Sequence, residues 1–467
     1  MANNTHITRE IADWSRDQTF DRIPREARRI AKRCMLDGLG LMVIGARQEC
    51  TRIVRDHCLE AGGAEEATLL GENPVKVPAA SAAMVNATAG HSMDWDDTQL
   101  SSYPDRVFGL LTHPGIPPLA AALAISEKKG DVTGEQFITA FVTGFEVECK
   151  IAEAILPKHY NSGFHSSGTI GVFGAAVAAG KLIGLDQGQY RHLLGMAASM
   201  GSGIRVNFGT MTKPLHVGRT AQSGVTAAQL AARGFEADPD GLDGQWGFFQ
   251  VAGGGFDLDK IQGKLGSPFS IVDPGVSIKP YPCGSLTHPS MDAMLGLVKE
   301  NDLKPEDVEG VVLYAGKNIL NPIRYETANN ELEAKFCMPF LLSVILLERK
   351  AGAKEFTDEY VTSQKVRSMM SRVRTQVDPE IEAKGFAKML SRVEINLKDG
   401  RKLVRDSDAR YRGGPEFPLS DEELQAKFTD CTEHFLSADT RQEIFTTIAE
   451  LEKPGNLDRT LGLIKGE

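Results

Sequence analysis

Residues 90–99 read GHSMDWDDTQ, and one histidine and three aspartates fall within a span of seven of those positions. Carboxylates set that close together form a cation cage, a solvated turn or one wall of a site. A calcium loop starting at Asp94 would need glycine at its sixth position and glutamate at its twelfth; Gln99 and Asp105 stand there instead. A solvated turn does not account for Met93 and Trp95, residue types that favour a core. The stretch therefore reads as half-buried, with some of its carboxylates facing a cleft.

Cationic groups lie farther along. In MTKPLHVGR, Pro214 suits the first position of a helix, which sets Lys213 at the helix mouth and His216 in the first turn. Free backbone N–H groups and the positive end of the helix dipole would stand beside that ammonium. The combination suits a carboxylate or phosphate, although a surface lysine at a helix start shows the same pattern. Lys279 lies in the extended, proline-rich SIKPYPCGSLTHPS, where helical patterning gives way to mixed patterning, and clefts form at such junctions. His113 in LLTHPGIPPL and His165 in NSGFHSSGTIGV each stand before a helix entry. A lone histidine there is often a cap or core residue, but imidazole is also the side chain poised to carry a proton near neutrality.

Several familiar schemes are missing. The chain has no H-E-x-x-H, no phosphate-binding G-x-x-x-x-G-K-[ST] and no G-x-S-x-G. The glycines of GMAASMGSG follow a helix-like segment rather than a strand, which argues against a dinucleotide fold. Seven cysteines, with no C-x-x-C pair, fit neither a disulfide framework nor a structural zinc site, and point to a reducing cytoplasm. A formal net charge of −10 without a basic run argues against nucleic acid as a partner. Any anion site must then be a local cationic pocket in an acidic protein. The N-terminus shows no basic stretch followed by an apolar one, so no leader is expected. FCMPFLLSVILLE is too short for a membrane span and reads as a buried helix.

The elements that must position these residues follow from periodicity. At 467 residues the chain exceeds what one simple core serves. Helical spacing runs from Pro24 to about Ile44, from Gly134 to Leu156 with a cap near Thr133, from Gly168 to Leu185, and from Pro214 to Gly234. The third is rich in glycine and alanine, so close packing must stabilise it. Signals are almost wholly helical up to about residue 270. Val308–Gly316 is then strand-like, and RVEINLKDGRKLVRD alternates apolar and polar residues on both sides of an Asp399-Gly400 turn. Helices are expected between them, around 331–350 and 358–373. Ser420 to Glu423 forms a capping box opening a late helix. The expected fold is mostly α: a large helical domain from residues 1–270 and 410–467, with a smaller α+β lid over 271–409.

Taken together, HSMDWDDT, THPG, GFHSSGTIGVFGAA, TKPLHVGRTAQSGV and KPYPCGSLTH, in that order, resemble the MmgE/PrpD family. Its members include 2-methylcitrate dehydratase, cis-aconitate decarboxylase and iminodisuccinate epimerase. The resemblance implies a helical body with an α+β lid, usually a homodimer, and an active site between the two that works without metal or organic cofactor. It implies that Asp94, Thr98, His113, His165, Lys213 and Lys279 line the pocket. Two departures stand out. QLSSYPDRVFGLLT, between Thr98 and His113, looks longer than in the animal cis-aconitate decarboxylases. A lid tyrosine associated with some decarboxylases has no clear match, since Tyr325 is out of register and Leu320 falls nearer its place.

The shared chemistry is proton transfer at a carbon beside a carboxylate. Cationic groups must hold the developing charge and a group titrating near neutrality must carry the proton. Lys213 and Lys279, with His216 and Thr98, are expected to bind substrate. His113 and His165 are expected to act as acid and base, with Asp94 orienting a histidine or the pocket water. The expected activity is a lyase on a di- or tricarboxylate, dehydration ahead of decarboxylation. The alternatives are an epimerase of an amino or imino dicarboxylate and a non-catalytic helical binding protein.

Overall fold

The computed structural model describes residues 6–103, 107–384 and 389–466, and gives backbone alone over 101–103 and 107–111. The fold is mostly helical. The helices that build the site are α1 (Arg25–Gly45), α2 (Ala79–Ser92), α3 (Ile116–Lys129), α4 (Gly134–Ile155), α5 (Gly171–Ile183), α6 (Thr212–Ala232), α7 (His288–Glu300), α8 (Met338–Glu348) and α9 (Asp421–Thr432). α5 sits at the centre of the first core, packed by α3, α4 and α6, while α2 lies between α1 and α6. Ser166–Ile183, which includes α5, is long and apolar enough to cross a membrane, but it is almost wholly buried inside the protein. Its small residues act as expected: a Cβ on Gly144 of α4 would collide with the Gly174 carbonyl of α5, so glycine allows the two helices to touch.

Apolar side chains gather into two large clusters. The first takes residues from Ile7 to Ile278 and again from Leu419 to Ile464. The second takes residues from Tyr281 to Leu397. The chain thus crosses to the second cluster after Ile278, later than position 271, because Ile271, Val276 and Ile278 pack into the first. The expected return is present, with α9 lying against α1. Its capping box forms as read, with Ser420 Oγ accepting from the Glu423 amide and Glu423 accepting from the Ser420 amide.

The second cluster is backed by a four-stranded sheet in the order β6–β5–β7–β8. Here β5 is Val308–Ala315, β6 Val373–Val377, β7 Ser391–Leu397 and β8 Lys402–Asp406. The β7–β8 hairpin turns at Gly400, whose φ of 86° suits glycine. Val393, Ile395 and Leu397 point into the core.

Sequence periodicity missed several breaks. The expected helix 331–350 is two pieces, Glu331–Ala334 and α8, because Pro339 lacks an N–H and would clash with the Lys335 carbonyl in a continuous helix. The expected helix 358–373 splits into Asp358–Thr362 and Gln364–Met370, and Val373 begins β6, parallel to β5. Two hairpins interrupt the helical region: β1 (Ala67–Leu69) with β2 (Val75–Val77), and β3 (Gln99–Tyr103) with β4 (Val107–Thr112). The second spans the long stretch before His113; its tip at 104–106 lies outside the described residues. α6 starts at Thr212, so Pro214 is the third helical residue rather than the first.

Candidate active site

A cleft opens between the two clusters, enclosing about 590 Å³ of space that includes its solvent mouth. Asp94, Thr112, His113, Tyr160, His165–Ser167, Phe208 and Lys213 line one side; Lys279, Gly284–Leu286, Pro322, Ile323 and Phe336 line the other. Four sequence motifs far apart in the chain therefore meet on one wall.

Asp94 follows the end of α2 with a φ of 51°, a left-handed conformation that aspartate tolerates better than most residues. Lys213 and Lys279 each donate from Nζ to its Oδ1 at 2.8 Å, and Lys279 also donates to the Asp94 carbonyl at 2.7 Å. Burial works against the carboxylate, but the two ammoniums outweigh it and hold Asp94 well below the usual carboxylate range. Burial lowers the Lys213 ammonium while Asp94 opposes the shift. Asp94 was expected to orient a histidine or the pocket water; the hydrogen bonds of its side chain go to the two lysines.

Asp96 takes that place. It is fully buried, accepts from His91 Nδ1 at 2.8 and 3.0 Å, and lies 3.4 Å from His113 Nδ1. Burial opposes its charge, but the two imidazoles hold its carboxyl well below the usual range. His113 Nδ1 also lies 3.0 Å from the Asp97 carbonyl, and its backbone N–H donates to Ser167 Oγ at 2.9 Å. Asp97 accepts from the Gly115 amide at 2.9 Å. A Cβ on Gly115 would collide with that carboxylate, so the T-H-P-G turn needs its glycine for this contact. Burial, with Asp96 and Asp37 nearby, pushes the Asp97 carboxyl up to about 8. Ligand-type atoms of His91, Asp96 and His113 lie within 4.8 Å of one another, a spacing that also suits a cation, but hydrogen bonds from His91 and a 3.4 Å contact from His113 already join these groups to Asp96.

His165 lies before the short helix Ser166–Thr169, with its Nδ1 3.0 Å from His216 Nδ1 and its Nε2 buried without a partner. Burial, with His91 and Lys213 adding to it, holds its imidazole well below the ordinary histidine value. His216 itself does not line the cleft; it backs His165, because the earlier start of α6 turns it behind that residue. Burial lowers its imidazole too. Thr98 also misses the cleft. It is fully buried, and its backbone exchanges hydrogen bonds of 2.9 and 2.8 Å with Ser277, tying the Asp94 loop to the segment that carries Lys279. Tyr325 and Leu320 lie off the cleft wall, and among the described residues Tyr160, stacked under Arg205, is the tyrosine that lines it.

Sequence reasoning noticed His91 but gave it no role, and assigned none to Asp96, Asp97, Ser166 or Ser285. The Oγ atoms of Ser166 and Ser285 are buried on the cleft wall without partners. Met93 and Trp95, which made the opening stretch look half-buried, pack in a satellite cluster with Leu41, Ile44 and Cys431. All seven cysteines are buried and free of disulfides.

Comparisons with known proteins bear on the same segments. The MmgE/PrpD N-terminal domain matches residues 9–261 and the MmgE/PrpD C-terminal domain residues 281–453. The cis-aconitate decarboxylase of Homo sapiens is 28% identical over 457 residues, covering 93% of this chain and 90% of that protein. That of Mus musculus is 28% identical over 450 residues, covering 94% and 89%. The cis-aconitate decarboxylase of Aspergillus terreus is 23% identical over 479 residues, covering 98% and 96%. Both family domains thus match in order and account for most of the chain, and the protein belongs to the MmgE/PrpD family.

Proposed function

We propose that the protein is a cofactor-independent lyase acting on a di- or tricarboxylate, with decarboxylation of cis-aconitate the first activity to test. The observation that carries this reading is the buried group of Lys213, Lys279 and Asp94 facing His113 and His165. Two ammoniums against one carboxylate leave one positive charge on the cleft wall, enough to favour a polyanion where water is scarce. The names of the relatives favour decarboxylation over the dehydration put first from sequence.

The proton steps follow from the hydrogen bonds. Among the described residues His113 Nδ1 meets only acceptors, the Asp97 carbonyl and the Asp96 carboxylate, so a ring proton belongs on Nδ1 and Nε2 is left to exchange a proton with the ligand. In a decarboxylation the C–C bond to one carboxylate breaks and carbon dioxide leaves. The electron pair stays on the carbon fragment, spread towards a remaining carboxylate that the lysines hold, and Nε2 of His113, which enters this step as the imidazolium protonated at both nitrogens, gives the proton that completes the product and returns to the neutral Nδ1–H form. His165, kept neutral by burial, can offer a hydrogen bond from Nε2 when its Nδ1 accepts from His216. In a dehydration the same imidazole would take the proton while its partner helps hydroxide leave as water.

In this reading the segment that follows Ile278, up to about residue 409, is a lid over the helical body, and substrate enters by its opening. The protein acts as a homodimer, without metal or organic cofactor, in the cytoplasm. Incubation of purified protein with cis-aconitate, 2-methylcitrate and citrate in heavy water, followed by mass spectrometry, tests the function. Loss of carbon dioxide or water with deuterium in the product is expected. A deuterated stereoisomer of unchanged skeleton as the sole product would replace the lyase with an epimerase. No turnover of any of these acids would remove the assignment.

A further inference from the structure

His91 and Asp96 take no direct part in the chemistry above, yet they are among its most enclosed neighbours. His91, in the last turn of α2, has no exposed side-chain surface, and its Nε2 is buried without a partner. The Asp96 Oδ2 that lies 2.8 Å from His91 Nδ1 also lies 3.4 Å from His113 Nδ1. The two rings stand edge to face with centroids 4.8 Å apart. One carboxylate oxygen is therefore shared between an imidazole sealed in the core and an imidazole on the cleft wall.

We propose that Asp96 is a positioning residue that fixes the orientation and tautomer of His113, and that His91 anchors Asp96 for that task. Its kinetic consequences rest on the lyase reading; the tautomer does not. A carboxylate on a loop rotates freely unless something grips it, and His91 contacts both Asp96 oxygens. The grip leaves the carboxylate's charge intact. Burial lowers His91 to about 4, so near neutrality it donates one hydrogen bond as a neutral ring and adds no positive charge to cancel Asp96. Asp96 itself stays ionised. A buried anion beside His113 then holds the ring proton at Nδ1 and balances the imidazolium formed during proton transfer. The other titratable groups around His113 are Asp94 and Asp97 on the same loop, His165 on the same wall, Lys213 on α6 and Glu148 on α4, which accepts from the neighbouring Thr112.

Histidine-selective 15N labelling of the full-length protein reads the tautomer of each ring, with His113 assigned by the signals lost in His113→Gln. His113 is expected in the Nδ1–H form. In Asp96→Asn, an amide N–H set against Nδ1 competes with the Asp97 carbonyl that remains 3.0 Å away, and should shift part of His113 to the Nε2–H form. On whatever acid the wild type turns over, kcat/KM should fall about 10²- to 10⁴-fold and the limb of the pH profile that His113 sets should move to lower pH. His91→Phe keeps the ring's bulk and removes the donor. It should leave His113 in the Nδ1–H form and move that limb to higher pH, because Asp96 then faces His113 alone. Melting curves establish that each variant is folded; if Asp96→Asn is not, the wild-type and His91→Phe spectra decide. A wild-type His113 in the Nε2–H form, or His113 limbs that move the same way in both folded variants, would overturn the proposal. So would a stoichiometric transition metal that the wild type retains and His91→Phe loses. A wild type that turns over no polycarboxylate removes the lyase reading but leaves the tautomer measurement standing.

Discussion

Asp94 and Asp96 lie two residues apart on one buried loop, and their surroundings differ in kind. Asp94 is held by the ammoniums of Lys213 and Lys279, Asp96 by the imidazoles of His91 and His113. In both, burial works against the charge and cationic or hydrogen-bonding neighbours outweigh it. What differs is what those neighbours do with a proton. An ammonium keeps its own near neutrality and supplies fixed charge, whereas an imidazole exchanges it. The left-handed turn at Asp94 helps send alternate side chains to different partners. A single acidic stretch thus serves two tasks, one holding the ligand's charge and the other moving a proton.

The contrast can be broken by kinetics. The largest effect is expected for His113→Gln, a fall in kcat of about 10²- to 10⁴-fold with KM little changed. Lys213→Ala should instead raise KM about 10- to 100-fold, the worth of one charge-assisted hydrogen bond, with a smaller loss of kcat. Steady-state kinetics on the acid found by mass spectrometry decides; the same parameter lost in both variants would erase the distinction between the two carboxylates.

Asp97 sharpens the contrast from the stability side. Its folded carboxyl, raised to about 8, keeps a proton that the unfolded chain gives up above about pH 4. Its contribution is therefore fully present below the unfolded value and is lost as pH rises through 8. Asp97→Asn imitates the protonated form, so its melting temperature should gain on the wild type by several degrees between pH 5 and pH 8. A constant difference across that range would show that Asp97 is ionised in the folded protein. The smallest expected effect is on metal removal: exhaustive chelation should leave activity unchanged. Activity lost and restored by one particular divalent ion would reassign His91, Asp96 and His113 as its ligands.

At Asp94, His113, His165, Lys213 and Lys279 a chemically able residue type beside a turn or helix signal made each a candidate, and it was the resemblance of the ordered motifs to the family that chose the site over a cap, core or surface residue. The β7–β8 hairpin and the capping box at Ser420 were clear on their own, because each is decided within a few residues. Features decided by distant partners were not. β6 is a strand because β5 pairs with it, and Thr98 matters through its backbone contact with Ser277. His91 stood in the first stretch considered, and three aspartates within the next six residues were the signal available. Nothing local distinguishes which of the three a histidine will bond, since that depends on the backbone turn at Asp94. His216 was misplaced by the assumption that a proline marks the first residue of a helix, when α6 had already begun at Thr212.

Lys427 of α9 donates to the Trp95 carbonyl at 2.8 Å and pairs with buried Asp37 of α1 at 2.6 Å. It thus braces the peptide between Asp94 and Asp96 from near the far end of the chain. During synthesis the loop is made long before its brace, and Asp37 waits without its counter-ion until α9 leaves the ribosome. The sheet-backed middle segment draws its core from residues 281–397 and can settle while the helical part that began earlier is still unfinished. The order of folding then runs against the order of translation, and the candidate site is among the last places in the molecule to become native.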